Sequence, residues 1–173
     1  MFIAKQIRRT FIAATVAAVV VGQAGAAVYS NGKKEATFDV TMGIVADCTI
    51  ATNAMDFGAG RGVLATAISA SSAIKVTCTN TTPFNLGLNA GTGTGSSGTT
   101  RFMSGTGANA GTVKFNLLQA AGGAPWGDTQ GSNTMGGTGT GAEQTLTVYG
   151  EIPAQNTPAP DTYKSTITAT VYF

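Results

Sequence analysis

The residues of this chain that could do chemistry are eight carboxylates, two cysteines and many hydroxyls, and histidine is absent from all 173 positions. Histidine is the most frequent general base, the usual activator of a serine or cysteine nucleophile and a common transition-metal ligand. Its absence counts against catalysis of these kinds. The chain is therefore predicted not to be an enzyme, and to have no metal site and no cofactor.

The carboxylates follow no catalytic or calcium-binding pattern. A glycosidase needs two carboxyl groups within about 5 to 10 Å of each other, together with a sugar-binding surface, and none of these acids lies in a segment rich in Trp and Tyr. No Asp-rich calcium loop occurs either. We interpret most of them as solvated residues of turns and strand faces: Glu35, Asp39, Asp47, Asp56, Asp128, Glu143, Glu151 and Asp161.

Two further features have a functional and a structural interpretation. Residues 93–98 (GTGSSG) match the dinucleotide-binding pattern G-x-G-x-x-G, but that site requires the motif to open a helix, and no helical pattern follows. Trp126 stands in a turn sequence, Pro125-Trp126-Gly127-Asp128, and could form a ligand platform. We interpret the match at 93–98 as a result of the high glycine content. For Trp126 we favour a structural role, in which its side chain anchors a loop onto the core.

The first residues resemble a removable export signal. Lys5, Arg8 and Arg9 precede the apolar run 11–21, and small residues at 24–26 suit cleavage after Ala26. The run is too short for a membrane anchor, which needs about 20 apolar residues. Without these three basic residues, seven basic residues remain against eight acidic ones, so the net charge falls from +2 to −1. Such a chain lacks the basic surface that nucleic-acid binding requires.

The two cysteines are expected to pair. An exported chain reaches an oxidising compartment, and neither a CxxC motif nor a histidine suggests metal or redox chemistry for Cys48 and Cys78. A disulfide that closes this loop of about 30 residues would add at most about 3.5 kcal/mol to the free energy of unfolding. The predicted disulfide is structural.

The mature chain is predicted to be all-β. Apolar and polar residues alternate with period 2, while Gly and Thr interrupt nearly every segment and no helical period is found. The stretch 36–50 is too long for one sandwich strand and predicts two, and the Gly-rich stretches 91–100, 105–111 and 131–141 predict surface loops. The alternation is clearest over 36–50, 74–78, 84–90, 113–117, 146–148 and 163–173.

One segment does not suit an ordinary self-contained domain. After a polar stretch, residues 36–44 alternate with four apolar side chains on one face, directly before the strand of Cys48. If the sandwich lacked an edge strand, this segment could fill the gap in a neighbouring copy by strand addition. Alternatively, it forms the first strand of its own domain, and composition alone does not decide between the two.

Several short motifs follow one another through the mature chain: Cys48-Thr49-Ile50, Met55-Asp56-Phe57-Gly58, Ile74-Lys75-Val76-Thr77-Cys78-Thr79, Phe84 to Leu88, Arg101-Phe102-Met103, Trp126-Gly127-Asp128, and Asp161-Thr162-Tyr163-Lys164 to Phe173. In this order, and with the cysteines so placed, the chain resembles the spore coat protein U domain family. That family includes the major subunits of archaic chaperone-usher pili.

The resemblance implies an incomplete immunoglobulin-like β-sandwich that is completed by a donor strand from a neighbouring subunit. It divides the chain into a signal peptide (1–26), an N-terminal extension with the donor strand (27–45) and a pilin domain (46–173). The implied partners are identical subunits, a periplasmic chaperone and an outer-membrane usher. The implied donor residues are Phe38, Val40, Met42 and Ile44, and the implied edge of the acceptor groove is formed by Tyr163, Ile167, Ala169, Val171 and Phe173.

The sequence therefore predicts a structural pilin subunit that passes through the periplasm and polymerises into a cell-surface fibre for adhesion and biofilm formation. The length leaves no room for the extra binding domain of a tip adhesin, which favours a shaft subunit. Two alternatives stay open. One is a spore or cyst coat protein of the same fold, and the other is a monomeric secreted carbohydrate-binding module or hydrolase.

Overall fold

A computed structural model describes residues 32–60 and 62–173, and all regular elements in these ranges are β-strands. The predicted signal peptide, 1–26, lies outside the described residues, as does the first part of the predicted extension. The described part of the chain contains no helix capable of spanning a membrane. The strands are β1 (Cys48–Thr52), β2 (Ile68–Cys78), β3 (Pro83–Leu88), β4 (Arg101–Gly105), β5 (Thr112–Leu118), β6 (Met135–Thr138), β7 (Glu143–Ile152), β8 (Tyr163–Lys164) and β9 (Ala169–Tyr172).

The strands form two antiparallel sheets around one core. The larger sheet has the order β1-β2-β7-β5-β4-β8, and the smaller has the order β6-β3-β9. Buried side chains from both sheets belong to a single hydrophobic cluster, which includes Val76 of β2, Leu86 of β3 and Phe115 of β5. The predicted all-β sandwich is confirmed.

Side-chain alternation explains why these segments become strands. Val113, Phe115 and Leu117 are buried on β5, whereas Lys114 between them is exposed. On β2, Ile74, Val76 and Cys78 are likewise buried on one face. Each strand therefore places one face in the core, as period 2 requires.

The predicted loop 131–141 is wrong in part, because it contains β6. Gly136 and Gly137 occupy the middle of this strand, so it has little side-chain alternation to detect. Gly137 lies under an aromatic ring: a Cβ built there would be 2.4 Å from Cζ of Phe84. The glycine permits close packing here rather than a loop conformation.

The C-terminal segment 163–173, predicted as one strand, is divided between the two sheets. β8 pairs with β4 of the larger sheet, and β9 pairs with β3 of the smaller one. Residues 165–168 connect them without strand pairing. The chain therefore crosses from one sheet to the other along one side of the sandwich.

Of the two strands predicted within 36–50, only the second is present, as β1. Residues 32–47 have no regular secondary structure. The alternation of apolar residues over 36–44 thus belongs to an extended segment that is not part of either sheet.

Candidate functional site: an apolar groove along the divided C-terminal strand

Two adjoining cavities form a groove along one side of the sandwich, with volumes of about 760 and 510 Å³. We call them the proximal and the distal cavity, since the chain passes the first at Asp161–Tyr163 and the second at Lys164–Ala169. Met55, Phe57 and Met103 line both of them. The cavities are therefore parts of one continuous groove.

The base of the groove is the apolar core of the larger sheet. Strands β2, β5 and β7 direct their core-facing side chains toward it, and these side chains are largely withdrawn from solvent. Such a surface favours an occupant that brings apolar side chains of its own. The lining residues from these strands are Ile68, Ile74, Val113, Phe115, Leu117, Val148 and Ile152.

One wall consists of residues 53–60 and 62–64, which follow β1. The edge strand β1 leads into this wall and is joined covalently to β2 by the Cys48–Cys78 disulfide, with an S–S distance of 2.02 Å. The two cysteines are directly opposed in the β1–β2 register. The predicted disulfide is confirmed, and it fixes the position of the strand that begins this wall.

The opposite wall is the C-terminal segment. Of the predicted edge residues, Tyr163 lines the proximal cavity, and Ile167 and Ala169 line the distal one. Val171 is half-buried against the core but does not line either cavity. Phe173, which is 58% exposed, follows β9 and also lies outside both linings.

Strand β9 presents an unpaired edge. The amide of Asn89 donates to the carbonyl oxygen of Thr168 at 3.1 Å. In the register of β9 with β3, the even-numbered residues of the C-terminal segment, such as Thr168 and Thr170, therefore direct their main-chain N–H and C=O groups toward β3. In an antiparallel ladder the alternate residues direct theirs to the other side. Ala169 and Val171 therefore offer N–H and C=O groups away from β3, on a side where no further strand of the described residues pairs with the smaller sheet. This is the edge that an added strand requires.

Behind this edge, a buried arginine connects three segments. Arg101 is fully buried, and its Nη2 donates to the carbonyl oxygens of Leu88 and Trp126, each at 2.7 Å, while Nε donates to that of Asn89 at 2.9 Å. Burial lowers the pKa of Arg101 to about 10, against the opposing effect of the Asp128 charge. The guanidinium therefore stays protonated at neutral pH.

Trp126 anchors the loop between β5 and β6, as the sequence predicts. Its indole is fully buried, and Nε1 donates to the carbonyl oxygen of Leu86 at 2.7 Å. The neighbouring Asp128 accepts a hydrogen bond from the hydroxyl of Tyr172 on β9 at 2.9 Å. Asp128 also lies so close to β3 that a Cβ on Gly87 would be 2.0 Å from its Oδ1. This loop thus holds β3 and β9 together.

The predicted donor residues share one property in the structure. Their side chains are 77–86% exposed, which is unusual for large apolar groups. The polar residues between them are also exposed. The residues in question are Phe38, Val40, Met42 and Ile44.

The polar chemistry of the described residues is sparse. No group of His, Cys, Asp and Glu residues in the ranges 32–60 and 62–173 could hold a metal ion. The salient feature of this surface is instead its apolar groove and its open strand edge.

The profile of the Spore Coat Protein U domain family matches residues 34–170. The chain belongs to this family. The matched range includes the predicted donor segment, the disulfide and all residues that line the two cavities. A search of curated proteins gave no match.

Two solved structures are similar to this chain. A chain from the complex of the chaperone CsuC with the tip adhesion subunit CsuE, from archaic chaperone-usher Csu pili of Acinetobacter baumannii, is 21% identical, with a TM-score of 0.54. The match covers 75% of this chain but only 40% of that one. The minor tip subunit HdaB of the Escherichia coli Hda pilus is 17% identical, with a TM-score of 0.37 and coverage of 72% and 79%. The first likeness supports an immunoglobulin-like β-sandwich fold.

Proposed function

We propose that this Spore Coat Protein U domain protein is a structural pilin subunit, without catalytic activity, that polymerises by donor-strand exchange. The extension of one copy occupies the groove of the next, with Phe38, Val40, Met42 and Ile44 as the donor side chains. On the acceptor side, Tyr163, Ile167 and Ala169 border the groove, and the same C-terminal segment continues past the two cavities through Val171 and Phe173. The main support is that one chain carries both an apolar groove beside an open strand edge and an exposed, alternating apolar segment.

The periodicity of the donor segment suits the groove. Side chains two residues apart in a strand point to the same face, at a spacing of about 6.6 Å. Four apolar residues with this spacing therefore present a continuous apolar row, and the two cavities together offer an elongated apolar base. The polar residues of the opposite face, including Asp39 and Thr41, stay in solvent.

The energetics favour a donor strand that dissociates from the groove very slowly. Burying four large apolar side chains contributes roughly 6 to 12 kcal/mol. Ordering the backbone of the donor segment costs a similar amount, at about 1 to 2 kcal/mol per residue. Main-chain hydrogen bonds to the edge of β9 and a high barrier to dissociation supply the remaining stability.

A subunit with an open groove needs protection before it assembles. An exposed apolar groove and a free strand edge are sites of aggregation, so a periplasmic chaperone that lends a strand is the expected partner. Assembly then takes place at an outer-membrane usher, and the fibre is displayed on the cell surface. The solved relative named above comes from a complex of a chaperone with a pilus subunit.

Within this function, we assign the chain to the fibre shaft, where it contributes to adhesion and biofilm formation. Electron microscopy of cells that express the protein separates this role from that of a coat protein. Thin fibres are expected for a pilin, whereas a continuous layer would indicate a spore or cyst coat.

The donor assignment is tested by a matched pair of variants. Met42→Asp places a carboxylate in the groove, where an unpaired charge costs several kcal/mol, whereas Thr41→Asp places it on the solvent face. In electrophoresis of unboiled samples in detergent, we expect a ladder of multimers from Thr41→Asp and only monomer from Met42→Asp. Periplasmic abundance of both variants is the control for export.

The result that contradicts the proposal is equally specific. If Met42→Asp and the similar variant Phe38→Asp both form fibres of normal length, the segment 38–44 is not the donor strand. A stable monomer of the wild-type protein, purified without any chaperone, would favour the monomeric alternative.

A further inference from the structure

We infer that Val45 of each copy packs against Val63 of the copy that accepts its donor strand, so that the two residues form an apolar contact at every subunit junction. The inference rests on the proposed donor-strand exchange. It concerns two exposed apolar residues that neither the core nor the donor row uses. Val45 is 78% exposed and Val63 is 80% exposed.

The direction of the inserted strand follows from the sheets. All strand pairings in the described chain are antiparallel, including that of β9 with β3 and that of β8 with β4. Antiparallel pairing is also slightly more stable per residue than parallel pairing. A donor strand beside the C-terminal segment is therefore expected to run against it.

This direction places the two ends of the donor. The C-terminal segment passes the proximal cavity at Asp161–Tyr163 before it reaches the distal cavity at Ile167 and Ala169. An antiparallel donor consequently has Phe38 in the distal cavity and Ile44 in the proximal one. Val45 then emerges at the outer end of the proximal cavity.

Val63 lies at that same end. Its neighbours Gly62 and Leu64 both line the proximal cavity, and Leu64 is buried. Leu64 is buried in the core, whereas its neighbour Val63 is exposed to solvent beside the cavity. Leu64 is also fixed in place, since its amide donates to Oγ1 of Thr157 at 2.8 Å.

The connection between donor and domain is too short to carry Val45 elsewhere. Consecutive Cα atoms are about 3.8 Å apart, so the four steps from Ile44 to Cys48 span at most roughly 15 Å. Cys48 is held by its disulfide in the donor's own domain, so that domain begins within this distance of the acceptor's proximal cavity. Val45, one step from Ile44, therefore stays at the rim of the acceptor, where contact with Val63 removes both side chains from water.

Paired cysteine substitutions test this contact. A disulfide requires Cα atoms about 4.4 to 6.8 Å apart, and the native cysteines are already paired. We expect Val45→Cys with Val63→Cys in one chain to give, after mild oxidation, a ladder that survives boiling in detergent and collapses with reductant. The comparison is Val45→Cys with Phe173→Cys, since Phe173 follows β9 at the opposite end of the C-terminal segment.

Each outcome has one interpretation. A boiling-resistant ladder from the Val63 pair alone supports the contact. A ladder from the Phe173 pair alone, or equal ladders from both pairs, overturns it, because the donor would then run parallel or have no fixed direction. Multimers that dissociate on boiling in both variants overturn the contact but leave donor-strand exchange intact.

Absence of multimers from the unboiled wild type is a different result, because it contradicts the proposed function itself and the contact with it. Gly62→Cys offers a second position on the same rim, should Val63→Cys reduce assembly. No heavy atom lies within 4 Å of a Cβ built at Gly62.

Discussion

Arg101 illustrates, at the scale of single residues, how a buried charge can serve the architecture of a binding groove. Its guanidinium satisfies carbonyl groups of Leu88, Asn89 and Trp126, which belong to the end of β3 and to the loop after β5. A rigid planar donor suits these separate acceptors better than a lysine would. The arginine thus joins the end of β3, whose Leu88 lines the distal cavity, to the loop after β5.

Removing this guanidinium should destabilise the domain. Arg101→Met leaves three carbonyl groups without their donor, and we expect a loss of about 3 kcal/mol in the free energy of unfolding. Urea denaturation monitored by Trp126 fluorescence measures it. Lys114→Met is the control, because Lys114 is exposed on β5. Equal stability of the two variants would contradict the structural role of Arg101.

Tyr172 provides a test at high pH. The hydrogen bond from its hydroxyl to Asp128 raises the pKa of Tyr172 above the usual 10.0. Since the folded protein favours the protonated phenol, this contribution to stability is present below pH 10 and is lost as the pH rises through the raised pKa. Asp128→Asn should therefore lower the pKa of Tyr172.

A titration of tyrosinate absorbance measures this change, with Tyr172→Phe to identify the signal. Glu143→Gln removes a carboxylate that pairs with Lys75 instead, at 2.8 Å, and should leave the titration of Tyr172 unaltered. A Tyr172 signal that does not move in Asp128→Asn would show that the hydrogen bond is not formed.

At the scale of elements, the edge strand β1 depends on its covalent link. Among the strands described, β1 pairs with β2 alone, and its own residues are at most half-buried. The Cys48–Cys78 disulfide compensates for this weak packing and holds the start of the groove wall in register.

Cys48→Ala combined with Cys78→Ala should lower the free energy of unfolding by at most about 3.5 kcal/mol. Denaturation of the wild type with and without reductant provides the matched comparison, and the reduced protein should resemble the double variant. Mass spectrometry after alkylation gives a direct check. Two alkylated thiols in protein isolated from the periplasm would refute the bridge.

Sequence patterns predict elements of this fold where side chains alternate. β5 and the end of β2 follow from their regular alternation, and Trp126 follows from its turn sequence. β6 was not predicted, because its two middle residues are glycines and show no alternation of side chains. These glycines permit the close contact with Phe84. β4 was not predicted either, because four of its five residues are only partly buried and the strand lacks distinct buried and exposed faces.

The residues of the candidate site were likewise predicted where apolar and polar side chains alternate. Apolar alternation marks the proposed donor residues, and the C-terminal alternation marks the proposed groove edge. The sequence gives no sign that this edge is divided between two sheets, because the crossing at 165–168 keeps the same parity. Arg101 was also not predicted as a structural residue, since a lone arginine in a Thr-rich segment shows no pattern of burial.

At the scale of the whole molecule, the proposed assembly has each chain carry a donor at one place and an acceptor at another. Such an interface is heterologous, so repeated use produces an open chain of subunits rather than a closed dimer. Each growing chain has one free groove and one free donor. The length of the multimer is therefore expected to fall when it incorporates copies that can accept a donor strand but cannot provide one.

Met42→Asp should create such a copy, because its groove is unaltered while its donor carries a charge into an apolar site. When co-expressed with the wild type, it can accept a donor but cannot provide one, so it ends growth wherever it is incorporated. We expect the mean length of the multimer ladder to fall as the proportion of Met42→Asp rises. Thr41→Asp, co-expressed at the same levels, should leave the length unchanged, because its carboxylate stays in solvent. If Met42→Asp is excluded from the multimers and their length stays constant, its groove does not accept a donor, and the separation of the two roles is wrong.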